Sequence, residues 1–137
     1  KDFLAEAEEI LEQLGGDLLA LGESADRDEH DPETVNSIFR GAHSLKGLAG
    51  MFGYGDVSEL AHHLENLLDC LRLGKVHLDA EVMSVLFESV DVLGAVIRGL
   101  GSEEIAPVEL GPTKERINAC IRGAIKKVIH LVSFEEI

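Results

Sequence analysis

Residues 42–50 read "AHSLKGLAG", a histidine, a lysine and two glycines set inside what is otherwise the pattern of one amphipathic helix. Around them Val35, Ile38, Ala42, Leu45, Ala49 and Phe52 recur every three or four positions, the spacing of a single helical face. A glycine in a helix interior costs roughly 1 kcal/mol relative to alanine, so Gly47 and Gly50 act against folding alone. Advancing by about 100° per residue from His43 puts the apolar stripe on the opposite side, with Asn36, Arg40 and Gly47 beside the histidine. His43 is therefore expected to face solvent or a neighbouring protein. Lys46 follows on one flank, and Gly47, at i+4, removes the side chain that would crowd the imidazole. The helix gives up stability and gains close access to the ring for something large, with Gly47, Gly50 and Arg40 as the access and docking residues.

A phosphate carrier suits that arrangement. A neutral imidazole nitrogen is a nucleophile near neutral pH, its phosphoryl adduct is anionic, and Lys46 supplies a positive charge within reach. A surface histidine near a fraying helix end accounts for the same spacing, and these nine residues do not separate the two readings. The next helix adds to the first. In "ELAHHLENLLD", residues 59–69, Glu65 lies about a quarter turn from the centre of the apolar stripe, beside Ala61 and Leu68, where it faces an adjacent helix. If that neighbour is the helix of His43, the carboxylate accepts one ring N–H, fixes the tautomer and makes the other nitrogen the better nucleophile. An ion pair of Glu65 with Lys46 or Arg40 is the plainer alternative and is compatible with the first. His62 lies on the side of Glu65 away from the core and is placed in the same network, whereas His63, on the other flank, is read as structural.

The rest of the chain repeats the helical period and nowhere shows strand alternation. Phe3, Leu4, Ala7, Ile10, Leu11, Leu14, Leu18 and Leu21 mark a first helix; Val57, Leu60, Leu64, Leu67, Leu68 and Leu71 a third; Val82, Leu86, Val90, Leu93 and Ile97 a fourth; Ile117, Ile121, Ile125 and Val128 a fifth. The helices are expected at about residues 2–22, 33–51, 56–73, 79–100 and 113–132. Asp31-Pro32 starts the second, Asp56 is the expected N-cap of the third, and Gly74 stops it. Short turns between the second, third and fourth make them antiparallel neighbours. The expected fold is all-α: an up-and-down antiparallel four-helix bundle with an additional fifth C-terminal helix at its side.

At 137 residues and 45% hydrophobic content the chain is long enough for one domain, residues 1–137, and short for two. With 26 acidic against 12 basic residues the net charge of −14 repels a phosphate backbone, which argues against nucleic acid as a partner. No charged start followed by an apolar run and no long uncharged apolar stretch occurs, so neither a signal peptide nor a membrane contact is expected of this fragment. Cys70 and Cys120 sit inside helical patterns without C-x-x-C spacing and read as reduced packing residues of a cytoplasmic protein.

The run "FRGAHSLKGLAGMFGYGDVSELAHHLENLLDCLRLGK", residues 39–75, resembles the histidine phosphotransfer (HPt) domain of chemotaxis sensor kinases of the CheA type. It matches through H-S-L-K-G, the glycine and aromatic turn at Gly53-Tyr54, and E-N-L-L-D, and the five-helix pattern extends the likeness over most of the chain. The resemblance implies that His43 is the phosphoryl acceptor, Lys46 its electrostatic support, Glu65 its hydrogen-bond partner and His62 a further member of the network. It implies a phosphoryl carrier with no cofactor of its own, ATP and magnesium being used by a separate kinase domain, and a response regulator receiver domain as the second partner. The parent is either such a sensor kinase or a free-standing phosphorelay protein. The acidic stretch at 22–32 and the region after Leu100 match no motif.

Three other readings compete. Glu59 and His62 form a Glu-x-x-His, as in di-iron bundles, but no other histidine has a glutamate three residues before it, so half of that site is missing. "GLAGMFGYG" is glycine-rich but lacks G-x-x-x-x-G-K-[ST] and follows a helix, which argues against ATP binding by this fragment. A purely structural docking bundle leaves Lys46, Gly47 and Glu65 unexplained as a set.

Overall fold

A computed structural model describes residues 2–26, 31–100 and 109–135, with side chains described through residue 123. Five helices follow in chain order: α1 Asp2–Asp26, α2 Pro32–Met51, α3 Gly55–Arg72, α4 Ala80–Gly99 and α5 Gly111–Glu135. Each of the first four packs on two others, α1 on α2 and α4, α3 on α2 and α4, which closes a four-membered ring around one core. Side-chain ties fix the directions. Asp17 accepts from Ser37 at 2.6 Å while the Phe3 ring packs at a tilt against Phe52 with centroids 5.4 Å apart, so α1 and α2 run antiparallel. Glu8 meets Arg98, and Gly22 lies against Met83, so α1 and α4 are antiparallel as well. The bundle is up-and-down, as the sequence pattern predicts.

Its core is the sum of the helical stripes: Leu14, Leu18 and Leu21 from α1, Ile38 and Leu45 from α2, Leu60, Leu64, Leu67 and Leu68 from α3, and Leu86, Leu93 and Ile97 from α4 are all fully buried. Two residues assigned to the stripes lie at its edge. Leu4 is exposed, and Phe52 leaves the core to cover Phe3 from outside. The α1–α2 approach is close: a Cβ on Gly41 would fall 2.7 Å from the buried Leu14 Cδ2.

Helix ends follow local chemistry. Asp31 accepts from the Glu33 N–H at 3.0 Å with Pro32 in the first turn, and Asp79 accepts from the Val82 N–H at 2.9 Å. The α2–α3 turn differs from expectation, because the N-cap of α3 is Tyr54, with no side-chain cap, and Asp56 lies inside the helix. The reason is the way α2 ends. Gly53, at φ +80°, donates to Gly50 O at 3.2 Å and Tyr54 donates to Ala49 O at 2.9 Å, a Schellman turn that feeds straight into α3 and leaves no separate cap. Gly74, at φ +77°, closes α3 in the same way, with Lys75 donating to Cys70 O at 2.8 Å. α1 extends four residues beyond its expected end at residue 22, to Asp26; residues 27–30 of the acidic stretch and residues 101–108 lie outside the described residues.

α5 lies along the groove between α3 and α4. Its Lys114 meets Glu59 and its Asn118 meets His63, so it runs parallel to α3, while buried Thr113 donates to Glu88 of α4 at 3.1 Å. Ile117 is the buried anchor and Ile121 is half-buried; the side chains of Ile125 and Val128 lie outside the described residues.

Candidate functional site

Among the described residues Glu65 is the one charged side chain in the core, and a carboxylate so placed must be paired. It is paired twice, across the α2–α3 interface. Oε2 meets His43 Nδ1, and Oε1 accepts from Lys46 Nζ at 2.8 Å. Burial opposes ionisation and is the largest single effect on the group, but the hydrogen bonds from Lys46 and His43, with the attraction of their charges, together outweigh it and hold the carboxyl below its ordinary range. Glu65 is therefore ionised at neutral pH. An ionised carboxylate only accepts, so Nδ1 of His43 carries the proton and Nε2 keeps its lone pair when the ring is neutral.

Exposure divides the roles: the His43 side chain is 63% exposed, whereas that of Glu65 is 11% exposed. One end of the pair is in the core and the other is open to an incoming molecule. A Cβ at Gly47 would meet nothing within 4 Å, and one at Gly50 only Ser58 Oγ at 3.7 Å, so packing does not demand glycine at either position. Arg40, one turn before His43, is exposed.

His62 is exposed on α3 and lines an open cleft with Lys46, Gly50, Gly53 and Ser58. Among the described residues it shares no hydrogen bond with His43, Lys46 or Glu65. His63 faces the other way, its Nδ1 3.1 Å from Asn118 Oδ1, and ties α3 to α5. Glu59 is engaged by Lys114 at 3.0 Å, whose hydrogen bond first and charge second hold its carboxyl below the usual range. Among the described residues no group of three His, Cys, Asp or Glu converges as metal ligands would. Cys70 and Cys120 are half-buried free thiols, and burial pushes both upward, away from the reactive thiolate.

Two neighbours of the site, Phe39 and Arg72, stand outside the matched motifs, and a third, Asp69, ends the E-N-L-L-D run without a role having been read for it. Phe39, one turn before His43 on α2, lies nearly parallel to the imidazole, at 11° with centroids 6.4 Å apart. Arg72 of α3 places its guanidinium carbon 4.2 Å from the centroid of the Phe39 ring, and Asp69 pairs with Arg72. The available signal was position alone: Phe39 is four residues before His43, and Arg72 seven after Glu65.

Comparison with known proteins identifies the family. The family model described as the Hpt domain matches residues 1–98. The chain belongs to the Hpt domain family. It is 43% identical over 91 residues to the chemotaxis protein CheA of Rhizobium meliloti, an alignment covering 66% of this chain and 12% of that protein. The CheA phosphotransferase domain from Thermotoga maritima superposes with a TM-score of 0.66 at 32% identity, covering 73% of this chain and 91% of that one. The phosphorylated P1 domain of CheA3 from R. sphaeroides, solved in complex with CheY6, shares the fold with a TM-score of 0.76 at 24% identity, covering 89% of this chain and 94% of that one. The chain spans about an eighth of the length of the curated CheA protein it matches. No helix among the described residues is long and apolar enough to cross a membrane.

Proposed function

We propose that this Hpt domain serves a CheA-type chemotaxis kinase in the cytoplasm, and that His43 is its phosphoryl carrier. The observation that supports this best is the pairing of an exposed imidazole with a buried, ionised carboxylate through Nδ1, which leaves Nε2 as the nucleophile. ATP and magnesium belong to a separate kinase domain that presents the phosphoryl group. Nε2 of His43 attacks the terminal phosphorus, the N–P bond forms, and the bond to the leaving ADP oxygen breaks. The proton on Nδ1 stays in place throughout. Glu65 offsets the positive charge that develops on the ring, which is electrostatic help already in position before the reaction. Lys46 stands on the same side and offsets the negative charge of the arriving phosphoryl group.

The return step reverses the first. An aspartate oxygen of a response regulator attacks phosphorus, the N–P bond breaks, and its electron pair returns to Nε2. Open space above Gly47 admits both partners, with Arg40 and Gly50 on the same exposed face. His62, in the cleft beside Lys46, is the outermost of the proposed site residues and has no hydrogen bond to the other three among the described residues. Incubation with ATP and the kinase domain of a CheA relative tests the proposal: wild type takes one acid-labile, base-stable phosphoryl group and passes it to a CheY-type receiver. Retention of that label by His43→Gln overturns it.

A further inference from the structure

A hydrogen bond tolerates a bend of about 30°, so Glu65 alone lets the His43 ring swing about its Nδ1 edge. Such a swing displaces Nε2, on the far side of the ring, by on the order of 1 Å, and a misplacement of that size costs a reaction up to about 100-fold. Something else must steady the ring plane. Phe39 is placed to do so, because its ring lies 11° from parallel and 6.4 Å away, within the range of offset aromatic pairs. Phe39 is only half-buried and needs support of its own. Arg72 supplies it, with its guanidinium stacked 4.2 Å from the ring centroid and Asp69 holding the guanidinium from one turn earlier.

We propose that Arg72 and Phe39 are positioning residues for His43, a stacked support reaching from α3 to the imidazole plane. α3 thus reaches the nucleophile at two points two turns apart, directly through Glu65 and indirectly through Arg72 and Phe39. Arg72 is unsuited to contact the phosphoryl group itself, since its charge is already met by Asp69 and its planar face is spent on Phe39. The inference rests on His43 being the phosphoryl acceptor.

The test uses phosphoramidate, a small donor that needs no docking surface: Nε2 bonds to phosphorus and ammonia leaves. Arg72→Ala and Phe39→Leu are each expected to slow labelling of His43 by about tenfold, whereas Phe39→Tyr, which keeps the ring, labels at the wild-type rate. The double variant is expected to be no slower than Phe39→Leu, because Arg72 acts through that ring. With a kinase domain as donor the loss falls on kcat and leaves KM unchanged. NMR cross-relaxation between the His43 and Phe39 rings is expected to weaken in Arg72→Ala while helical content stays at the wild-type level. A docking cation gives the opposite pattern: normal phosphoramidate labelling, unaltered ring contacts and a salt-dependent rise in KM, and that result overturns the proposal. If wild type itself takes no label on His43, the functional reading fails and this inference fails with it.

Discussion

At the scale of single residues, the proposed function gives Glu65 and Lys46 separable tasks. Glu65→Gln replaces an acceptor-only carboxylate by a neutral amide that can either accept from Nδ1–H or donate to a bare Nδ1, so phosphoryl acceptance is expected to fall by about 10- to 100-fold and the ring to populate both tautomers. Lys46→Ala is expected to slow the reaction while the tautomer stays fixed, since Glu65 still meets Nδ1. Nitrogen-15 NMR of the ring beside a labelling time course measures both. Asp91, exposed on α4, is the control, and its change to alanine leaves both readouts at wild type. The ion pair also predicts a pH dependence of stability. The folded-state pKa of Glu65 is lowered, so its contribution is fully present above the ordinary carboxylate range and is lost as pH falls through the lowered folded value. Denaturant titrations are therefore expected to show wild type more stable than Glu65→Gln at pH 7, with the gap closing below about pH 4. A gap that widens on acidification contradicts the pairing.

At the scale of elements, glycines of one helix do opposite things. Gly47→Leu is expected to leave the bundle as stable as wild type or to stabilise it by up to about 1 kcal/mol, since the added side chain meets open space, yet transfer should fall because leucine overhangs the ring. Gly41→Ala is expected to destabilise by about 1–3 kcal/mol, because its methyl meets Leu14 in a filled core. Thermal melts and transfer rates on the two variants check this double dissociation. The contrast also shows how far sequence reasoning reaches. Period and spacing locate every helix and set His43, Lys46 and Glu65 on facing surfaces, because those surfaces follow from counting along each helix. Gly41 is silent in that count, since its requirement comes from a leucine 27 positions earlier in the chain that only packing brings near. Asp56 misleads for the same reason: a good capping residue is overridden when the preceding Schellman turn already sets the entry to α3.

At the scale of the whole molecule, α5 stands outside the match to the Hpt family model and outside the four-helix ring, and touches neither α1 nor α2 among the described residues. It covers α3 and α4 through Thr113, Ile117 and the Glu59–Lys114 and His63–Asn118 ties, on the flank of α3 away from His43. Removal of residues 101–137 is therefore expected to lower the melting temperature by about 10 °C or more, as loss of the Ile117 anchor alone is worth about 2–5 kcal/mol, while phosphoryl acceptance at His43 persists. Loss of labelling in a folded truncated chain would place part of the site on α5.

The expected losses of phosphoryl transfer all rest on the proposed reaction at one nitrogen of His43. The bond from Nδ1 to Glu65 leaves Nε2 as the free nucleophile, so phosphorus-31 and nitrogen-15 NMR of the phosphorylated chain should find a single N–P coupling, at Nε2 of His43, with Nδ1 still protonated. Coupling at Nδ1, or a phosphoryl group on His62 or His63, contradicts the account.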